Sequence, residues 1–135
     1  MIDTRIFLDS NILLYLQSAD AHKANLAEDI ARRGGMISVQ VLNEVAHVML
    51  YKFRRPWAEI NEVLSLLRAL FSVQPLTLAG HQQGLRVAER YGLSLYDAMI
   101  VASALQAECE ILYSGDMHSG LLIENRLLVQ NPFTT

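Results

Sequence analysis

Four short apolar runs, Arg5–Leu8, Met36–Val39, Ile111–Ser114 and Leu127–Gln130, alternate with longer segments whose apolar residues recur every three or four positions. Short continuous apolar runs suit strands buried on both faces, and helical segments between them supply the crossovers that parallel pairing requires. The pattern therefore predicts an α/β sandwich around a mostly parallel sheet of four to five strands, the fifth being a weaker run near Pro75–Leu78. Helices are expected over Ala21–Arg33, which stops at Gly34-Gly35, and over Val41–Lys52, with Val41, Val45, Val48 and Met49 on one stripe. Pro56 closes the second of these and opens Trp57–Leu70; Ala79–Tyr91 ends before Gly92, and Ser94–Glu108 is apolar nearly all round.

With 135 residues the chain is expected to form one domain spanning 1–135. An apolar share of 52% with a net charge of only −3 excludes intrinsic disorder. One cysteine, Cys109, excludes a disulfide framework, and His22, His47, His81 and His118 lack zinc-ligand spacing. The richest apolar run, Ala98–Leu105, falls far short of the roughly 20 residues that cross a bilayer. The first, Ile6–Leu16, is interrupted by Asp9-Ser10-Asn11 and has no basic lead-in. A soluble, cytoplasmic protein without a membrane segment is expected.

Four carboxylates stand where packing alone would not put them. Asp9 follows Ile6-Phe7-Leu8 at the end of the first strand, and Asp116 follows Ile111–Gly115 at the end of a later one. Asp97 opens the apolar helix, and Glu44 occupies a slot that the Val41, Val45, Val48 stripe would give to an apolar residue. Each has an ordinary explanation: a helix cap for Asp9 or Ser10, a capping box Ser94–Asp97, a turn residue at 116, a solvated glutamate at 44. Taken together they point elsewhere. In a parallel α/β sheet, strand carboxyl ends and helix amino ends share one edge, so Asp9, Asp97 and Asp116 should converge with Glu44 leaning in. Gathered carboxylates repel and must bind protons or cations, and an oxygen-only donor set selects Mg²⁺ or Mn²⁺. An open site of that kind suits metal-assisted phosphodiester hydrolysis.

At these residues the chain resembles a PIN domain, the nuclease fold of the toxin in VapBC-type toxin–antitoxin pairs. The likeness runs from about Ile6 to Phe133. It rests on Phe7-Leu8-Asp9-Ser10-Asn11, Ser38-Val39-Gln40-Val41-Leu42-Asn43-Glu44, Leu93-Ser94-Leu95-Tyr96-Asp97-Ala98 and Ile111-Leu112-Tyr113-Ser114-Gly115-Asp116, in that order. The resemblance implies a three-layer sandwich with Asp9, Glu44, Asp97 and Asp116 as the catalytic metal site. Asn11 and Ser114 would support the first aspartate. It also implies a Mg²⁺- or Mn²⁺-dependent endoribonuclease acting on structured RNA such as tRNA, a cognate antitoxin and a homodimer. Gly115 and Ser119 flank Asp116 where many relatives carry a further polar or acidic residue, so one held ion with a second recruited by substrate fits as well as two.

A net charge of −3 is poor for an RNA binder, but two divalent ions at the four acids would carry it to +1. Lys52, Arg54 and Arg55 form the one dense basic cluster and are candidate RNA contacts, although helix-end charge explains them as well. Tyr51 and Trp57 nearby are expected in the core rather than stacked on bases. His47 and His118 are expected at the surface, and Cys109 reads as a small hydrophobe. The alternative function is a non-catalytic RNA- or protein-binding module of the same fold. Two phosphate-handling rivals fail on inspection. A haloacid-dehalogenase-type phosphatase wants a second aspartate where Asn11 stands, and a receiver domain wants a late lysine, whereas the lysines are Lys23 and Lys52.

Overall fold

Strand β1 (Ile6–Leu8) is buried at all three positions, as an uninterrupted apolar run in a central strand must be. The computed structural model describes residues 2–134. After β1 come α1 (Ser10–Leu14), a 3-10 turn (Tyr15–Gln17) and α2 (Ala21–Arg32), then β2 (Met36–Ser38), α3 (Val39–Tyr51) and α4 (Trp57–Leu70). The chain continues through β3 (Ser72–Gln74), α5 (Leu78–Tyr91), α6 (Leu95–Gln106), β4 (Ile111–Tyr113), β5 (Leu122–Ile123) and β6 (Leu127–Gln130).

The strands form one six-stranded sheet in the order β3-β2-β1-β4-β6-β5, parallel except for the β5–β6 pair. The chain lays β2 and β3 to one side of β1, then crosses back to place β4 on the other. Strand order therefore reverses between β1 and β4, and the crevice beyond their carboxyl ends is where sheets of this kind bind ligands. The connections through α1–α4 and the return through α5 and α6 run in opposite directions along the sheet, so the right-handed rule for parallel crossovers assigns them to opposite faces, a three-layer arrangement.

Local chemistry sets the boundaries. Ser38 both ends β2 and caps the next helix: its hydroxyl accepts from Val41 N–H at 3.2 Å, so Val39 starts α3 instead of ending β2. Gly34, at φ 74°, stops α2 in a conformation that β-carbon-bearing residues avoid. Helix α6 buries every residue from Ile100 to Leu105, as its all-round apolarity requires. Phe7, Leu8, Ile37, Leu112 and Val129 from the sheet are fully buried.

Four expectations need correction. The sheet has six strands, not four to five. The strand placed near Pro75–Leu78 lies at Ser72–Gln74, because α4 ends at Leu70 and the chain turns extended at Phe71, before the proline. β5 is two residues long, too short to leave a pattern. Tyr51 and Trp57 are 65% and 59% exposed, so neither belongs to the core. No helix among the described residues is long and apolar enough to cross a membrane.

Candidate active site

Asp9 leaves β1 with its N–H bonded to Tyr113 O at 3.0 Å and becomes the N-cap of α1. The capping explanation and the site explanation are thus both realised in one residue. Its Oδ1 accepts from Ser10 N–H at 2.7 Å, and its Oδ2 accepts from Ser114 Oγ at 2.8 Å and Asn11 Nδ2 at 3.3 Å. The Ser114 hydroxyl in turn accepts from the N–H groups of Asp116 (3.2 Å) and Met117 (3.1 Å). Asn11 Oδ1 accepts from Gly115 N–H at 2.7 Å, an approach only glycine permits easily, since a β-carbon there would lie 3.1 Å from the Tyr15 ring. These bonds lace the loop after β1 to the loop after β4 across the point where strand order reverses.

The result is an aspartate only 2% exposed. Burial pushes its carboxyl up to about 6; Ser114 and Ser10 pull it down, and the charges of Glu44 and Asp97 push it up again. Fully bonded but poorly hydrated, Asp9 is the floor of the site.

The other three acids form a rim. Glu44 projects from α3, its Oε1 accepting from Ser10 Oγ at 2.8 Å and its Oε2 from Gln40 Nε2 at 3.0 Å. Ser10 Oγ also lies 3.3 Å from Asp9 Oδ1, so one hydroxyl spans two carboxylates. Asp97 sits in the first turn of α6, where its N–H donates to Ser94 Oγ at 3.3 Å. Half of the expected capping box is therefore formed. The return bond from Ser94 N–H is not made, and the carboxylate faces the cleft. Desolvation raises the Asp97 carboxyl, and Glu44 and Asp116 raise it further against the lowering effect of Ser94. Asp116 is exposed on the loop after β4.

Glu44, Asp97 and Asp116 line one cavity of about 990 Å³ together with Ser10 and Asn11, and Asp9 lies behind that wall. Acids remote in sequence thus act on the two that are shifted: Glu44 and Asp97 raise the Asp9 carboxyl, and Glu44 and Asp116 raise that of Asp97. Among the described residues, however, no three His, Cys, Asp or Glu side chains stand close enough to share an ion. The donor chemistry, all oxygen and all acidic, fits a hard divalent cation, while the spacing is that of an open site rather than a finished cage.

Of the three basic candidates, Lys52 lines the cavity. Arg54, at φ 54°, and Arg55, 3.9 Å from Glu59, do not. His47 lines the cavity and tilts against Tyr51 at 4.8 Å between ring centres; His118 is exposed outside it. Cys109 is buried, its thiol pushed up to about 12 by desolvation, as a small hydrophobe should be. The sequence offers Ser10 only as a possible helix cap and gives no site role to Gln40, Tyr96 or Asn131. Gln40 could have been found, one helical turn before Glu44. Asn131, whose Nδ2 donates to Gly115 O at 3.1 Å, carries no local signal.

A family model for the PIN domain matches residues 6–119. Similar solved structures include a toxin–antitoxin complex from Klebsiella pneumoniae, at 21% identity and TM-score 0.73 over 96% of this chain and 99% of that one. VapC20 of Mycobacterium tuberculosis, a sarcin–ricin loop cleaving toxin, matches at 19% identity and TM-score 0.65 over 82% and 91%. VapBC2 from Rickettsia felis, bound to a DNA fragment from its promoter, matches at 18% and 0.68 over 97% and 98%. At such identities the likeness is one of fold. No curated protein matches the sequence significantly.

Proposed function

Since the chain belongs to the PIN domain family, we propose that it is a metal-dependent endoribonuclease, the toxin of a toxin–antitoxin pair that cuts structured RNA such as tRNA. One observation carries this reading: Glu44, Asp97 and Asp116 line a common cavity with Asp9 behind it, at the carboxyl edge where strand order reverses. Mg²⁺ or Mn²⁺ would be held by Asp97, Asp116 and Glu44 with Asp9 beneath, and when bound it supplies a polarised phosphoryl oxygen and a water of lowered pKa. Ser114 and Asn11 hold Asp9 in one orientation. Ser10 and Gln40 fix both oxygens of Glu44, which leaves that carboxylate aimed to orient an attacking water. Lys52, on the same cavity, is positioned to meet a phosphate of the strand. A cognate antitoxin, a homodimer and a cytoplasmic setting complete the proposal.

Purified protein incubated with total tRNA should cleave it with Mn²⁺ and not with excess EDTA, and Asp97→Asn should not cleave it at all. Full activity in excess EDTA would overturn the metal-dependent reading. The open spacing of the carboxylates favours a second reading, a non-catalytic RNA- or protein-binding module. Equal RNA affinity with and without metal, and no cleavage at any Mn²⁺ concentration, would establish it.

A further inference from the structure

A second cavity, of about 230 Å³, opens beside the first, and Gln40 and Tyr96 belong to the walls of both. We propose that this smaller cavity is a nucleobase subsite, holding the base of the nucleotide next to the scissile phosphate; the proposal rests on the nuclease reading above and names how that site selects its substrate.

Size, charge and position carry it. The space lies below the roughly 300–1,000 Å³ of sites for larger ligands and admits one planar ring system. Its lining contains no Asp, Glu, Lys or Arg, so it suits neither a phosphate nor a charged side chain. Leu76, Leu95 and Met99 give apolar surface to ring faces, and His81 and Gln40 give hydrogen-bonding groups to ring edges. Tyr96 is 64% exposed, pairs with no aromatic ring among the described residues, and immediately precedes Asp97. An unstacked aromatic ring beside a phosphodiester-cleaving acid is a platform for a splayed base, the usual way in which single-stranded RNA is read. Tyr96 borders both cavities, so a strand that lies across Asp97 and turns one base toward Tyr96 brings that base to the mouth of the second cavity. Gln40 gives the subsite a link to the chemistry, because the same amide that borders the base holds Glu44 Oε2.

The test uses the full chain labelled with ¹³C at the methionine methyl groups, without metal, titrated with the four nucleoside 5′-monophosphates. The Met99 methyl should shift, with one base preferred, while Met36, Met49 and Met117 report no change. Tyr96→Ala should weaken the titration at least about fivefold, the loss of one stacked base. His81→Trp, a change at an exposed position on the cavity's border, should abolish the titration by plugging its mouth. No Met99 shift with any nucleotide overturns the subsite. So does a Met99 shift that follows protein concentration instead of nucleotide, which would mean that a second copy of the chain fills the cavity. A parallel digest of a randomised RNA pool with Mn²⁺ separates the two readings. If the wild type cuts but Tyr96→Ala and His81→Trp keep its base preference beside the cut, the subsite falls and the nuclease stands. If nothing is cut while nucleotides still move Met99, the nuclease falls and the base site stands.

Discussion

The floor and the rim of the site are built on opposite plans. At the floor, the side chains of Asp9, Asn11 and Ser114 make seven hydrogen bonds within 3.3 Å, two of which join residues 9–11 to 114–117. At the rim, Asp116 stands in solvent, Asp97 has only its own N–H capped, and Glu44 alone has both oxygens held. The floor bears a buried charge and needs every donor it has; the rim keeps its carboxylates free at the expense of mutual repulsion. Stability and activity are divided in space here, so mutations in the two regions should separate them.

The largest effect should come from the rim. Asp97→Asn is expected to lower cleavage of tRNA at least about a hundredfold while leaving unfolding within about 0.5 kcal/mol of wild type. A nuclease assay beside a denaturant melt reads both numbers, and a variant that loses fold and activity together breaks the division.

The floor should answer through stability. Ser114→Ala removes a donor to Asp9 and the acceptor for two N–H groups, at a cost of about 1–3 kcal/mol. A melting temperature unchanged from wild type would show that the lacing contributes nothing.

Asp9 itself should respond in the opposite sense. In the metal-free fold its carboxyl keeps its proton up to about 6, whereas the unfolded chain releases it near 3.8. Below the lower value both states are protonated and nothing is lost. As the pH rises from there toward 6, the folded state alone retains the proton and stability declines. By neutral pH the loss is about 3 kcal/mol. Asp9→Asn in EDTA should recover about 1–2 kcal/mol of it, less than all because an amide cannot accept at both ends. It should also flatten the decline. Urea melts across that pH range decide; a wild-type profile that rises with pH contradicts the buried-charge account.

Gln40→Ala is the smallest change. It frees one oxygen of Glu44 and should slow cleavage about threefold to tenfold, with under about 1 kcal/mol of destabilisation. A loss as deep as that of Asp97→Asn would move Gln40 into the reacting group itself.

Much of this was legible in the sequence, because strand ends and helix starts leave local marks. Asp9 and Asp116 follow apolar runs, Asp97 precedes one, and Glu44 interrupts a stripe; all four could be placed on one edge once the sheet was taken as parallel. What connects them could not. Ser10 meets Glu44 across 34 residues with no local mark, whereas the support of Asp9 by Ser114 across 105 is implied by the PIN resemblance and by no spacing rule. The third strand escapes a sequence reading because Ser72–Gln74 holds one apolar residue, Val73, directly after a helix whose C-cap is Phe71. Tyr51 and Trp57 were misjudged for another reason: large aromatic rings are usually buried, and exposure at a helix end depends on packing partners the local sequence does not name.

The margins of the sheet have a consequence for how copies of this chain can meet. On one side β5 offers two residues, bounded by left-handed backbone at Gly120, Glu124 and Asn125; on the other, β3 offers three before Pro75, which has no N–H to give. A stray strand from another molecule would find almost no ladder to join at either border. Crowding such molecules together should therefore leave them free of the edge-to-edge zippering that seeds fibrils.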